Sequence, residues 1–135
     1  MSPRVLVADD APDMLDLVEA ALTRGGADVV CVSTGADLLE RLADDGPFDL
    51  VITDVAMPWM TGFQAAYSLR EAGLEVPVIV MTGRDDPSIP ERVRSLGEHA
   101  VLIRKPFGTS DLQRTVASML HSQGSFAPSR ARRFE

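Results

Sequence analysis

Cysteine, positive charge and long apolar runs are all scarce in this chain. One cysteine, Cys31, among 135 residues excludes an intramolecular disulfide. Its neighbours Val29, Val30 and Val32 are apolar, so it reads as a buried structural thiol in a reducing compartment. No apolar stretch approaches the roughly 20 residues that span a bilayer. The opening Met-Ser-Pro-Arg runs straight into a strand-like segment with no secretory hydrophobic region, so a cytoplasmic location is expected and no membrane partner. The two histidines, His99 and His121, do not stand at metal-ligand spacing in the sequence and read as solvated helix or loop positions.

Basic residues number 13 against 20 acidic ones, for a net charge of −7. The last 14 residues, Ser122 to Glu135, hold three Arg and one Glu, which leaves about −9 on Met1 to His121. Such a body disfavours direct nucleic-acid binding and suits a cation site better. Arg130, Arg132 and Arg133 are too few to reverse that reading.

What is present is alternation. Short apolar runs, Val5–Ala8, Val29–Val32, Leu50–Thr53, Val78–Met81 and Val101–Arg104, take turns with segments of helical period. Asp10-Ala11-Pro12-Asp13 marks a helix start, with Met14, Leu15, Val18 and Leu22 inward and Gly25-Gly26 as the stop. A second helix is expected from Gly35 to Ala43, a third carrying Phe63, Ala66 and Leu69, and a fourth with Ile89, Val93 and Leu96 on one face. Ser110 with Gln113 forms a candidate capping box for the last. The predicted fold class is α/β, a three-layer (βα)5 sandwich with a parallel sheet covered on both faces. One domain over 1–121 is expected, followed by a disordered tail or the start of a linker over 122–135, where Gly, Ser, Pro and Arg replace the periodic pattern.

Five polar residues fall at or just past the ends of those strands: Asp9, Asp10, Asp54, Thr82 and Lys105. In open parallel sheets ligands bind outside the carboxyl ends of the strands. Carboxylates, a hydroxyl and an ammonium at that edge suit a divalent cation and a phosphoryl group. Taken singly, each residue has a plainer reading: Asp54 as a turn starter before Met57-Pro58, Asp10 as a helix N-cap, Thr82 as a strand-ending β-branched residue, Lys105 as a surface cation. Their ordered recurrence at strand ends argues for the site.

Four segments carry a resemblance: Val7-Ala8-Asp9-Asp10, Asp54-Val55-Ala56-Met57-Pro58-Trp59-Met60-Thr61-Gly62, Val80-Met81-Thr82-Gly83 and Arg104-Lys105-Pro106-Phe107. From Arg4 to about Leu120 the chain resembles the receiver domains of two-component response regulators, notably the single-domain chemotaxis type. The resemblance implies a flavodoxin-like sheet of order 2-1-3-4-5. It implies Asp54 as phosphoacceptor, with Mg²⁺ held by Asp9, Asp10, Asp54 and the carbonyl of Ala56. It also implies phosphoryl contacts from Thr82, Lys105 and the backbone of Ala56 and Gly83, and a cis bond before Pro106. A histidine kinase or histidine phosphotransfer domain would donate the phosphoryl group, and an output protein that the sequence does not name would read the result.

The pattern is departed from at Leu102, where the family usually places an aromatic whose rotamer changes on activation. Ala56 and Arg84 lie where relatives tune phosphoryl lifetime. A stand-alone regulator is expected, with the receiver portion of a longer protein as the alternative. A second functional class is a Mg²⁺-dependent aspartyl-phosphate phosphohydrolase. Enzymes of that kind usually place a nucleophile after the first strand with a second Asp two residues on, whereas here that strand ends in adjacent Asp9-Asp10.

Overall fold

The apolar runs form the middle layer of three. In the computed structural model, which describes residues 2–55 and 61–124, the chain order is β1 (Arg4–Ala8), α1 (Pro12–Arg24), β2 (Asp28–Val32), α2 (Gly35–Asp45), β3 (Leu50–Asp54), α3 (Gly62–Glu71), β4 (Val78–Thr82), α4 (Ser88–Arg94), β5 (Ala100–Arg104) and α5 (Thr109–Gly124). The strands pair in parallel in the order β2-β1-β3-β4-β5, the flavodoxin-like arrangement expected from the sequence.

Alternation along each strand divides the core in two. Leu6, Ala8, Val51, Val78 and Val80 face Leu38 of α2, Phe63 and Leu69 of α3, and Ile89 and Val93 of α4. Val5, Val7, Leu50, Ile52, Ile79 and Met81 face Val18 and Leu22 of α1 and Leu112 and Val116 of α5. The central strands β1, β3 and β4 are therefore apolar at nearly every position, as a sheet covered on both faces requires.

Several local expectations need correction. Asp10 is not the N-cap of α1; Ala11 is, in extended conformation and without a side-chain cap. Proline at position 12 drives the residue before it out of the helical region, which moves the cap one place along. Ser110 and Gln113 do not form a capping box: α5 already starts at Thr109, and the Gln113 amide donates to the Ala21 carbonyl of α1 at 2.9 Å. The reciprocal box occurs instead at α3, where Thr61 and Gln64 bond each other's backbone N–H groups. Helix α2 continues to Asp45, beyond the expected Ala43. Leu96 is buried with Ile89 and Val93, yet it lies past the end of α4.

Cys31 on the edge strand β2 is half-buried against the α1 side of the core. Burial raises its thiol pKa from an ordinary 9.0 to about 11, and the charges of Glu19 and Asp16 add to the effect. Among the described residues no helix is long and apolar enough to cross a membrane.

Candidate functional site

The strand order reverses at β1. The chain goes from β1 outward to β2 and then returns to the other side of β1 with β3. The carboxyl ends of β1 and β3 therefore lie side by side with no helix between them, the crevice where α/β sheets bind ligands. Asp9 directly follows β1 and Asp54 is the last residue of β3. Both are buried, Asp9 at 0% exposure and Asp54 at 9%, while Asp10 is exposed. One carboxylate oxygen from each of the three lies within 4.8 Å of the other two.

Lys105 enters from the far side of the sheet. The β4–β5 ladder is extended by the Lys105 N–H, which donates to the Thr82 carbonyl at 2.7 Å. The Lys105–Pro106 peptide is cis, as expected. The ammonium donates to Asp9 Oδ2 at 2.8 Å and lies 3.1 Å from Asp54 Oδ1. Burial works to lower the Lys105 pKa, but the hydrogen bonds and charges of Asp9 and Asp54 outweigh it and raise the pKa above its usual value. The Asp54 carboxyl is shifted up by burial, with Asp9 adding to the rise and the Lys105 hydrogen bond and charge opposing it.

Thr82 ends β4 with 1% exposure. Its hydroxyl oxygen accepts the Arg84 N–H at 2.9 Å, which leaves the hydroxyl proton free to donate. The Arg84 carbonyl in turn accepts from the Arg104 guanidinium at 3.3 Å. A Cβ added at Gly83 would meet Lys105 Cβ at 3.8 Å, an ordinary contact. The protein around Gly83 thus has room for a side chain. Leu102 packs half-buried on the α4 side of the sheet. The expected carbonyl of Ala56 lies outside the described residues.

Asp9, Asp10, Asp54, Thr82 and Lys105 therefore do meet at one edge. One buried hydroxyl beside them was not singled out from the sequence. Thr53 is 1% exposed and donates to the Asp54 carbonyl at 3.1 Å; its signal was a single polar residue closing the run Leu50-Val51-Ile52. The described residues also line a cavity of about 650 Å³ at the opposite end of the sheet, among Leu42, Phe48, Leu74, Val76 and Pro77. It lies away from the strand ends where the chemistry converges.

Charge counting tests the fit to a divalent cation. Three carboxylates and one ammonium leave −2 at the cluster, which one divalent cation cancels. Hard oxygen donors few in number, with room for water and a phosphoryl oxygen, are what Mg²⁺ prefers over a full protein cage. The residues fit.

The comparisons with known proteins agree. The family profile described as response regulator receiver domain matches residues 5–117. The transcriptional regulatory protein PrrA of Mycobacterium tuberculosis is 35% identical over 130 residues, covering 95% of this chain and 54% of that protein. The response regulator MprA of Mycobacterium ulcerans is 34% identical over 121 residues, covering 89% and 51%. The chain thus spans about half the length of the curated relatives it matches. Among solved structures, the chemotaxis response regulator CheY4 of Vibrio cholerae superimposes with a TM-score of 0.79 at 26% identity, covering 88% of this chain and 99% of that one. The signal receiver domain of the putative response regulator NarL of Mycobacterium tuberculosis gives 0.79 at 29% identity, covering 88% and 96%. Fold, strand-end acids and profile coincide, and the chain belongs to the response regulator receiver domain family of two-component systems.

Proposed function

We propose that Asp54 accepts a phosphoryl group from a phosphohistidine on a histidine kinase or histidine phosphotransfer domain, and that the resulting charge switches a protein-binding surface. The observation that carries this reading is the Lys105 ammonium bonded to Asp9 and beside Asp54, next to a carboxylate cluster with two uncompensated charges. An Asp54 carboxylate oxygen attacks phosphorus, the P–N bond to the donor imidazole breaks, and the departing imidazole takes up a proton from solvent. The product is an acyl phosphate on Asp54.

Asp9, Asp10 and Asp54, with the Ala56 carbonyl, would hold the Mg²⁺. When bound, the ion supplies charge neutralisation between these carboxylates and the phosphoryl oxygens. Lys105 is placed to leave Asp54 and pair with the new phosphoryl oxygens, retaining Asp9 as its second partner. Thr82 would donate its hydroxyl to the phosphoryl group, and the resemblance assigns it further contacts from the backbone of Ala56 and Gly83. The modification adds about −1.5 to −2 of charge, and the β4–α4 segment that holds Thr82 responds. The chain catalyses only its own phosphorylation and dephosphorylation, and it is cytoplasmic. The working unit is the domain over 1–121, with 122–135 as tail or linker; it contacts no nucleic acid itself.

The test is site-specific labelling. With Mg²⁺ and acetyl phosphate the protein should gain one hydroxylamine-labile phosphate, placed on Asp54 by peptide mass spectrometry. Asp54→Asn should abolish it with the fold intact. A phosphate on Ser, Thr or His, or equal labelling of Asp54→Asn, would overturn the reading. Steady turnover of small phosphate esters would instead favour the phosphohydrolase class.

A further inference from the structure

Thr53 is a polar residue where the fold offers no apparent place for one. Its register partners are Ala8 on β1 and Val80 on β4, both 0% exposed. In a parallel sheet these three side chains share a face, and that face carries the apolar core with α2, α3 and α4. Valine has the same branched shape, suits β-structure equally well and matches both neighbours. A hydroxyl buried there needs a hydrogen-bond partner to offset its lost hydration.

Its partner is the carbonyl oxygen of Asp54, at 3.1 Å. The N–H of that same peptide group, belonging to Val55, donates to the Met81 carbonyl of β4 at 3.0 Å. The Asp54–Val55 peptide plane is therefore gripped at both ends, by a side chain of its own strand and by the neighbouring strand. Asp54 sits one residue beyond the last β1–β3 pair, Ala8 with Thr53. The ladder to β1 no longer constrains it, and the two grips take over. They fix the backbone torsion that sets the direction of the Asp54 carboxylate.

The geometry points to Thr53 as a positioning residue for phosphoryl transfer: its buried hydroxyl locks the peptide after Asp54 and so aims the carboxylate for attack. This rests on the phosphoacceptor reading of Asp54 and extends it to a residue that touches neither metal nor phosphoryl group.

Thr53→Val removes the hydroxyl at nearly constant shape, and Thr53→Ser keeps the hydroxyl while losing a methyl. Each full-length variant is labelled with acetyl phosphate and Mg²⁺, following acyl-phosphate formation on Asp54 by intact mass spectrometry over a range of donor concentrations. Loss of one hydrogen bond of ordinary net strength predicts an about two- to tenfold fall in the limiting rate constant for Thr53→Val. The half-saturating donor concentration should stay unchanged, and Thr53→Ser should remain within twofold of the parent. Hydrogen exchange at the Val55 amide should quicken in Thr53→Val and recover in Thr53→Ser. Equal rates for Thr53→Val and parent overturn the assignment while leaving Asp54 as phosphoacceptor. A serine variant as slow as the valine one shows that the methyl packing matters instead, and overturns it too. A parent that never labels on Asp54 refutes the phosphoacceptor reading itself, and the assignment falls with it.

Discussion

Replacing Lys105 by methionine keeps most of the side-chain volume and deletes the ammonium, which allows its two opposing effects to be separated. In the parent that charge sits 2.8 Å from an Asp9 oxygen and 3.1 Å from an Asp54 oxygen, and the three side chains are 19%, 1% and 12% exposed. Breaking a buried pair by removing one partner costs about 3–5 kcal/mol, because the survivor is left buried and uncompensated. Lys105 is partly hydrated, so about 2–3 kcal/mol at neutral pH without divalent ions is the reasonable expectation. The same deletion removes a repulsion toward any cation at the cluster, whose carboxylate oxygens lie within 4.8 Å of one another. A unit charge and a doubly charged cation about 5 Å apart repel by about 1.7 kcal/mol at a dielectric constant of about 80 and by about 7 kcal/mol at about 20. Even the water-like limit corresponds to Mg²⁺ binding tightened by more than about tenfold. Urea unfolding with EDTA and with saturating Mg²⁺, plus calorimetric titration of Mg²⁺, reads both effects. Lys105→Met should be clearly less stable than the parent in EDTA and recover most of the difference with Mg²⁺. An unchanged or weakened Mg²⁺ affinity would show that the ammonium and the cation do not share the carboxylate cluster, and the charge argument for the site would fail.

Two further outcomes test the surroundings. Cys31 in the folded protein should react with a thiol reagent at pH 8 about a hundredfold more slowly than an ordinary thiol, since its pKa is raised from 9.0 to about 11. A raised folded-state pKa favours the protonated form, so this residue's contribution to stability is complete below about pH 9 and is lost as the pH climbs through 11. A labelling rate that levels off near pH 9 contradicts this. Thr61→Ala should destabilise by about 1 kcal/mol, as expected for loss of an N-cap side chain. Because Thr61 and Gln64 bond reciprocally, a double-mutant cycle with Gln64→Ala should show coupling, and strict additivity would refute the reciprocal box.

Much of this was legible in the sequence, for a physical reason. Strands covered on both faces must be apolar at nearly every position, so Val5–Ala8, Leu50–Ile52 and Val78–Met81 stand out without any alignment. Polar residues that interrupt such runs at their ends mark the sheet edge, and Asp9, Asp54, Thr82 and Lys105 were placed by that logic. Caps were less legible because they depend on the backbone torsions of single residues. Pro12 forces Ala11 into extended conformation and displaces the cap from Asp10. Gln113 was misassigned because its partner, the Ala21 carbonyl, belongs to a helix about ninety positions away, a neighbour that only tertiary packing supplies. Thr53 escaped because a β-branched residue in a strand reads as filler until its burial and its bond are seen.

Burial of the acidic edge follows from the same architecture. Asp9 follows β1 and Asp54 ends β3, and the pairing of these adjacent central strands up to Ala8 and Thr53 keeps the two residues close together. Beneath them Val7, Ile52 and Met81 are completely buried, and water cannot rise from below to solvate the charges. Carboxylates confined in this way repel, and Lys105 offsets only part of the repulsion. A native protein that keeps such a cluster carries a local conflict, of the sort that persists at functional sites when the rest of the fold can sustain it. Two densely packed core layers can sustain it here. The remaining −2 is then a standing affinity for a doubly charged cation, created by strand order and held by the core.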